Sequence, residues 1–203
     1  MNETAATVYV VDDDSAVRDS LRLLLKSVGL PCVTFESAPE FLDAFEGGGR
    51  ACLVADIRMP GMSGLELQAE LNKRQLRLPL IFITGHGDVP MAVDAMKAGA
   101  LDFLQKPFRD QDLLDRINQA LAEDQEWRAA DEEREAVEQL IATLTPREKQ
   151  VMERVARGDA NKVIAFDLNV SQRTVEIHRA RVMEKMGVRT LADLVRMASK
   201  AGL

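Results

Sequence analysis

The sequence predicts an α/β domain built on a doubly wound, five-stranded parallel sheet, joined by a long helical linker to a smaller all-α domain. Three observations predict it. Short apolar runs alternate with amphipathic helical patterns through residues 1–121, an acidic helical stretch follows, and residues 144–203 turn wholly helical and basic. At 203 residues, each half is long enough to bury its own core.

Strands are expected at 7–11, 31–35, 51–55, 80–84 and 101–105, each short, apolar and bounded by turn or acidic residues. Between the first two, Val17, Leu21, Leu24, Leu25 and Val28 recur at helix spacing. Ser37-Ala38-Pro39-Glu40 and Ser63-Gly64-Leu65-Glu66 read as capping boxes that open two more helices. Five strands alternating with helices imply a parallel sheet covered on both faces, with ligands gathering at the C-terminal ends of its strands.

Leu113, Leu114, Ile117 and Leu121 make the next helix amphipathic. Beyond it Glu123–Glu126 and Asp131–Glu135 are nearly all charged, and Trp127, Val137, Leu140 and Ile141 leave only a thin apolar seam. No heptad register stays apolar, which favours an acidic helical linker over a coiled coil. Thr145-Pro146-Arg147-Glu148 is a capping box with proline in the first turn, opening a helix that runs to about Arg157 and stops at Gly158. Further helices are expected at 161–168, at 172–186 with Gly187 as its stop, and from Thr190 onward. The expected division is 1–121, a linker at 122–142, and a four-helix domain at 143–203.

Composition bounds the function. Residues 144–203 hold twelve Lys/Arg and seven Asp/Glu, a net of +5, so the net −7 of the chain leaves −12 on the front. An acidic front and a basic rear imply different partners, with nucleic acid a candidate for the rear. No apolar run approaches the ~18 residues of a membrane span, and the opening Met1-Asn2-Glu3-Thr4 lacks the pattern of a signal peptide. Cys32 and Cys52 sit in apolar stretches and read as buried thiols of a reducing cytoplasm rather than a disulfide or metal site.

The first strand runs into Asp12-Asp13-Asp14, the third into Asp56, the fourth into Thr84, and the fifth into Lys106-Pro107. In a parallel sheet with the first strand near its centre, these ends converge. Carboxylates so close need a cation, most simply Mg²⁺ with oxygen ligands. A carboxylate beside Mg²⁺ and a lysine is also a phosphoryl acceptor in prospect, since both cations neutralise charge on the transferring group. Singly, each residue has a plain alternative: three aspartates after a strand often form a solvated loop or helix cap. His86, in the loop after Thr84, reads as an ordinary exposed loop histidine.

Together, Val8-Tyr9-Val10-Val11-Asp12-Asp13-Asp14, Asp56-Ile57-Arg58-Met59-Pro60-Gly61-Met62-Ser63-Gly64, Ile83-Thr84-Gly85 and Phe103-Leu104-Gln105-Lys106-Pro107-Phe108 resemble the receiver domain of two-component response regulators. Along its full length the chain is similar to the FixJ/NarL family, close to FixJ and to regulators of styrene and toluene degradation. The resemblance implies a flavodoxin-like strand order of 2-1-3-4-5. It implies Asp56 as phosphoacceptor, and a Mg²⁺ (or Mn²⁺) site from Asp12, Asp13, Asp56 and the Arg58 backbone carbonyl. Thr84, Phe103 and Lys106 become the switch residues, with a cis bond before Pro107 and a small Gly85 beside the site.

In the rear, Asn161–Leu168, Asn169-Val170-Ser171 and Thr174–His178 read as a helix-turn-helix. With Leu144–Glu148 they resemble the LuxR/NarL DNA-binding family. A wheel at 100° per residue puts Val175, Val182 and Met186 on the core face of the third helix, and Arg173, Ile177, Ala180 and Glu184 opposite, flanked by Glu176 and Arg181. An apolar Ile177 on that outward face suits a thymine methyl in the major groove. Arg173, Glu176, Ile177, Ala180 and Arg181 are the expected base-facing residues. Lys162, Thr174, Arg179 and Lys185 are the expected phosphate contacts. His178, near the buried edge, reads as packing or hydrogen-bonded rather than as a base contact.

The expected protein is a cytoplasmic transcription regulator, not an enzyme. A sensor histidine kinase phosphorylates it. It then dimerises through Val93, Met96 and Lys97, binds an inverted-repeat operator and meets RNA polymerase, activation being usual in the group. Two alternatives fit less well. A phosphatase using Asp12-x-Asp14 lacks a cap domain and has Ala16 where that class wants Thr or Val. A sigma-like factor would not explain the motifs of the front half.

Overall fold

The computed structural model describes residues 6–85 and 89–203, so His86 lies outside the described residues. The chain divides into two compact units, Met1–Trp127 and Arg128–Leu203. The elements of the first are β1 Thr7–Val11, α1 Ser15–Ser27, β2 Cys32–Phe35, α2 Ala38–Ala44, β3 Ala51–Asp56, α3 Gly64–Lys73, β4 Leu80–Thr84, α4 Val89–Lys97, β5 Asp102–Gln105 and the start of α5 Asp110–Ala142. The strands pair in parallel in the order β2-β1-β3-β4-β5. This is the expected doubly wound sheet. The order reverses between β1 and β3, which opens the crevice where such sheets hold ligands.

Each strand exists because its apolar run can be buried on both faces. β3 and β4 are buried at every position. One core, with Phe41, Leu67, Phe82 and Ala95, lies under α2, α3 and α4. The other, with Leu21, Leu25, Leu113 and Ile117, lies under α1 and α5. Cys52 of β3 is buried and Cys32 of edge strand β2 is partly exposed, both free. The two strands flank β1, where both cysteines register with Val8, so a disulfide is out of reach.

Local capping follows the sequence in two of three places. Ser63–Glu66 and Thr145–Glu148 form reciprocal capping boxes. At α2 the box is half made: Ser37 accepts from the Glu40 N–H, but the Glu40 carboxylate takes the Glu36 N–H instead. The expected linker also differs in character from its sequence. α5 is one helix whose Leu113, Ile117, Ala120 and Leu121 enter the first unit's core and whose Val137 and Ile141 enter the second's. Asp124, within the expected acidic helical linker, is buried and accepts the Ala51 N–H at 3.0 Å. Arg50 Nε donates to the Leu121 carbonyl at 3.0 Å beside it.

The second unit adds α6 Pro146–Ala156, α7 Asn161–Asp167, α8 Gln172–Lys185 and α9 Leu191–Lys200 around a core of Val151, Met152, Ile164, Val175, Val182 and Leu194. Gly158 and Gly187 follow α6 and α8 at φ 89° and 64°, the left-handed backbone that lets glycine end a helix. Asn169 takes the same region at φ 53° to make the turn between α7 and α8.

Candidate phosphoacceptor site and nucleic-acid interface

The strand ends converge as their sequence required. Registers Val11 with Ala55, Asp56 with Ile83 and Thr84 with Gln105 bring Asp12, Asp56, Thr84 and Lys106 to one edge. The Lys106 N–H donates to the Thr84 carbonyl at 2.7 Å, and the Lys106–Pro107 bond is cis. Lys106 Nζ stands 2.8 Å from Asp12 Oδ2 and 3.0 Å from Asp56 Oδ1. The other Asp56 oxygen accepts the Arg58 N–H at 2.7 Å. Asp12, Asp56 and Thr84 are buried.

Gly64 explains how α3 can start so near. A Cβ there would lie 2.4 Å from the Asp56 carbonyl oxygen and 2.8 Å from the Phe82 ring. Gly85, by contrast, has nothing within 4 Å of where its Cβ would be. The sequence motif thus contains one glycine required by close approach and one that leaves open space.

Burial pushes the Asp12 carboxyl above its ordinary range, against the hydrogen bond from Lys106. Burial also lowers Lys106, but its bonds to Asp12 and Asp56 outweigh that, and its net shift is upward. Two buried carboxylates, Asp12 and Asp56, share the single Lys106 ammonium at this edge. That donor set fits a hard divalent cation. Asp13 and Arg58 are exposed at the same edge, and no group of three such acidic or metal-ligating side chains is gathered tightly enough to hold a metal among the described residues. Phe103 is half-buried against the core under α4. Val93 and Met96 on α4 are exposed at 42% and 45%, and Lys97 is exposed beside them.

In the second unit, Ser171 caps α8 by accepting the Thr174 N–H at 3.0 Å. Val175, Val182 and Met186 are buried, as the wheel required. Arg173, Glu176, Ile177, Ala180, Arg181 and Glu184 are exposed. His178 is half-buried, and its Nδ1 is enclosed with no hydrogen-bond partner. Lys162 is exposed on α7, and Thr174 is half-buried with its hydroxyl 2.8 Å from that of Ser171. Arg179 donates to Asn161 Oδ1 at 2.9 Å, which ties α8 to α7.

Lys185 has a different task from the one its sequence suggested. Its ammonium lies 2.7 Å from Glu148 Oε2 and 3.1 Å from the Thr143 carbonyl. Together with the Thr145 N–H, this holds the buried Glu148 carboxyl down at about 2. Glu148 is therefore both the capping residue of α6 and the anchor of α8. The capping pattern signalled the first role, and no signal in the sequence links it to a lysine 37 residues on.

A carboxylate pocket at the C-terminal edge of a 2-1-3-4-5 sheet, with a helix-turn-helix in a separate unit, defines a receiver coupled to a DNA-binding module. Known proteins agree. Residues 8–118 match the response regulator receiver domain, and residues 142–198 match the luxR family of bacterial regulatory proteins. The transcriptional regulatory protein FixJ of Azorhizobium caulinodans is 50% identical over 97% of this chain and 93% of its own. Nodulation protein W of Bradyrhizobium diazoefficiens is 49% identical over 98% of this chain and 88% of its own. Among solved structures, the response regulator StyR aligns with a TM-score of 0.83 at 49% identity, over 97% of this chain and 99% of that one. Full-length FixJ from B. japonicum aligns at 0.60 and 45% identity, over 98% of each.

The chain belongs to the response regulators with a receiver and a LuxR-type DNA-binding domain, and is a transcription regulator rather than an enzyme. A receiver implies a sensor kinase as partner and a Mg²⁺ site at the phosphoacceptor; the LuxR-type domain implies DNA. No helix among the described residues is long and apolar enough to cross a membrane.

Proposed function

We propose that Asp56 accepts a phosphoryl group from the phosphohistidine of a sensor kinase, and that this drives dimerisation and operator binding. The observation that carries the reading is the position of Asp56 at the end of β3, with Lys106 Nζ 3.0 Å from Oδ1. An Asp56 carboxylate oxygen attacks phosphorus, the N–P bond breaks, and its electron pair stays on the imidazole of the donor. Lys106 holds the acceptor in place beforehand and then pairs with a phosphoryl oxygen. The Thr84 hydroxyl turns to the same group, and Phe103 follows it inward. Mg²⁺, or Mn²⁺ in its place, held by Asp12, Asp13, Asp56 and the Arg58 carbonyl, would supply positive charge to the transferring oxygens.

The exposed Val93, Met96 and Lys97 support pairing of two receivers through this face. An isologous pair presents two recognition helices, so the operator is an inverted repeat with half-sites about one helical turn apart. Arg173, Glu176, Ile177, Ala180 and Arg181 read bases. Lys162, Thr174 and Arg179 contact phosphates, and Lys185 is withdrawn from that set because Glu148 holds it. The bound dimer recruits RNA polymerase and activates transcription in the cytoplasm.

Intact-mass measurement after acetyl phosphate and Mg²⁺ tests the central step. One phosphoryl adduct is expected on the parent and none on Asp56→Asn. Equal labelling of the two overturns the assignment. Light scattering with a beryllofluoride mimic then reads the monomer-to-dimer shift.

A further inference from the structure

Asp12, 1% exposed at the end of β1, has a partner for every polar atom. Its N–H donates to the Phe35 carbonyl at 3.3 Å, Oδ1 accepts the Asp14 N–H at 2.9 Å, and Oδ2 accepts from Lys106. Its carbonyl lies one residue past Val11, the last registered position of β1, where the ladder has stopped. Arg18, half-buried in the first turn of α1, takes that carbonyl instead: its Nη1 donates to the Asp12 oxygen at 2.7 Å. A peptide unit is rigid and planar, so fixing its oxygen fixes its plane. The Asp12 carbonyl belongs to the plane that precedes Asp13, and the Asp14 N–H to the plane that follows it. Arg18 holds the first and Asp12 Oδ1 holds the second, which pins the backbone of Asp13 on both sides. The Asp13 carboxylate itself is exposed, and among the described residues no partner holds it. Its direction is set by the backbone that Arg18 clamps.

We propose that Arg18 is a positioning residue of this edge: by holding the Asp12–Asp13 peptide plane it presents the Asp13 carboxylate to the divalent cation, and so sets the metal affinity on which phosphoryl uptake depends. The inference rests on the Mg²⁺ site proposed above and adds a residue that touches neither the cation nor the phosphoryl group. The charge of Arg18 and its geometry act in opposite directions. A guanidinium repels a divalent ion, so deleting its charge alone would tighten metal binding. Loss of the held peptide plane would weaken it, because a carboxylate free to wander must be ordered when the cation arrives.

Free Mn²⁺, followed by its electron paramagnetic resonance signal, reads the metal affinity of the unphosphorylated full chain without any phosphodonor. Arg18→Met keeps an apolar stem and removes the donor. It should bind Mn²⁺ about tenfold more weakly, the loss usual when a group that orients a metal ligand is removed. Arg22→Met takes one positive charge from the same helix, where Arg22 bonds Asp19 and Thr34, and should bind as the parent does. In an Asp13→Asn background, already weakened, Arg18→Met should cost nothing further, because Arg18 acts through Asp13. Circular dichroism melting checks that each variant is folded. If Arg18→Met is not, Arg18→Lys, with its shorter stem and single ammonium, takes its place and should bind more weakly than the parent. Affinity equal to the parent's or tighter overturns the proposal. So does an equal loss in Arg22→Met, or an undiminished loss in the Asp13→Asn background. A parent that binds no Mn²⁺, or an Asp13→Asn variant that binds it as tightly as the parent, sinks the metal site itself and the inference with it.

Discussion

Gly64→Ala adds one methyl group where the structure has no room for it. The new Cβ would sit 2.4 Å from the Asp56 carbonyl oxygen, 2.8 Å from the Phe82 ring and 3.0 Å from the Ile57 Cα. Two of these neighbours are backbone and the third is a fully buried ring, so none yields cheaply. Relief requires about 1 Å of separation between α3 and the end of β3, because ordinary contacts begin near 3.4 Å. Overpacking of this kind costs ~1–3 kcal/mol. Alanine's better helix propensity returns at most ~1 kcal/mol, less in a first turn, so the net sign is destabilising. For a domain of this size the receiver transition should fall by roughly 3–12 °C. The displaced atom belongs to the phosphoacceptor's own backbone, so phosphoryl uptake from acetyl phosphate should slow as well. Differential scanning calorimetry and time-resolved intact mass read the two effects. Gly85→Ala, in open space, is the control and should stay within about 0.5 kcal/mol of the parent. If Gly64→Ala melts with the parent and labels at its rate, the close approach of α3 does not govern the site.

The remaining predictions concern other elements. The Glu148 carboxyl is held at about 2 by Lys185, so its contribution is complete above its unfolded value near 4.5 and is lost as pH falls toward 2. Lys185→Met should weaken that acid dependence in circular dichroism titrations, and an unchanged acid limb would count against the pair. Ile177→Ala should relax preference at one base pair by on the order of 1 kcal/mol, whereas Lys162→Ala should weaken binding to all sequences and reduce the salt slope by about 0.9. A binding-selection experiment with an unchanged motif for Ile177→Ala would make that residue mere surface. Burial pushes the Cys52 thiol up to about 12, with Asp124 and Cys32 adding to it, so native alkylation should reach Cys32 alone, and both thiols only in denaturant. Rapid labelling of Cys52 in the folded chain would contradict its burial.

Much of this molecule is local and therefore legible. The five strands came from runs of apolar residues that a sheet covered on both faces demands, and the bounds moved by only a residue, at β2, β3 and β5. The acidic strand ends and Lys106 pointed to one pocket because parallel strands put all their C-terminal ends on one edge. The outward face of α8 followed from a period of 3.6, and Ile177 is exposed at 46% as that period required. Where a residue's partner lies far along the chain, the reading fell short. Lys185 looked like a phosphate contact because a cation on a recognition helix has no visible partner until α6 folds beside it.

By itself, then, the sequence determined the class of each domain, the order of the strands through its family resemblance, and the chemistry available at the sheet edge. These depend on periodicity, capping and motif spacing, which act over a few residues. Tertiary structure alone decided that Asp124 closes on Ala51 across 73 residues, that Gln68 leaves one oxygen buried without a partner, and that Glu148 claims Lys185. Each of these is a polar group whose partner, or lack of one, is set by which atoms are brought together when water is excluded, and no local pattern encodes that.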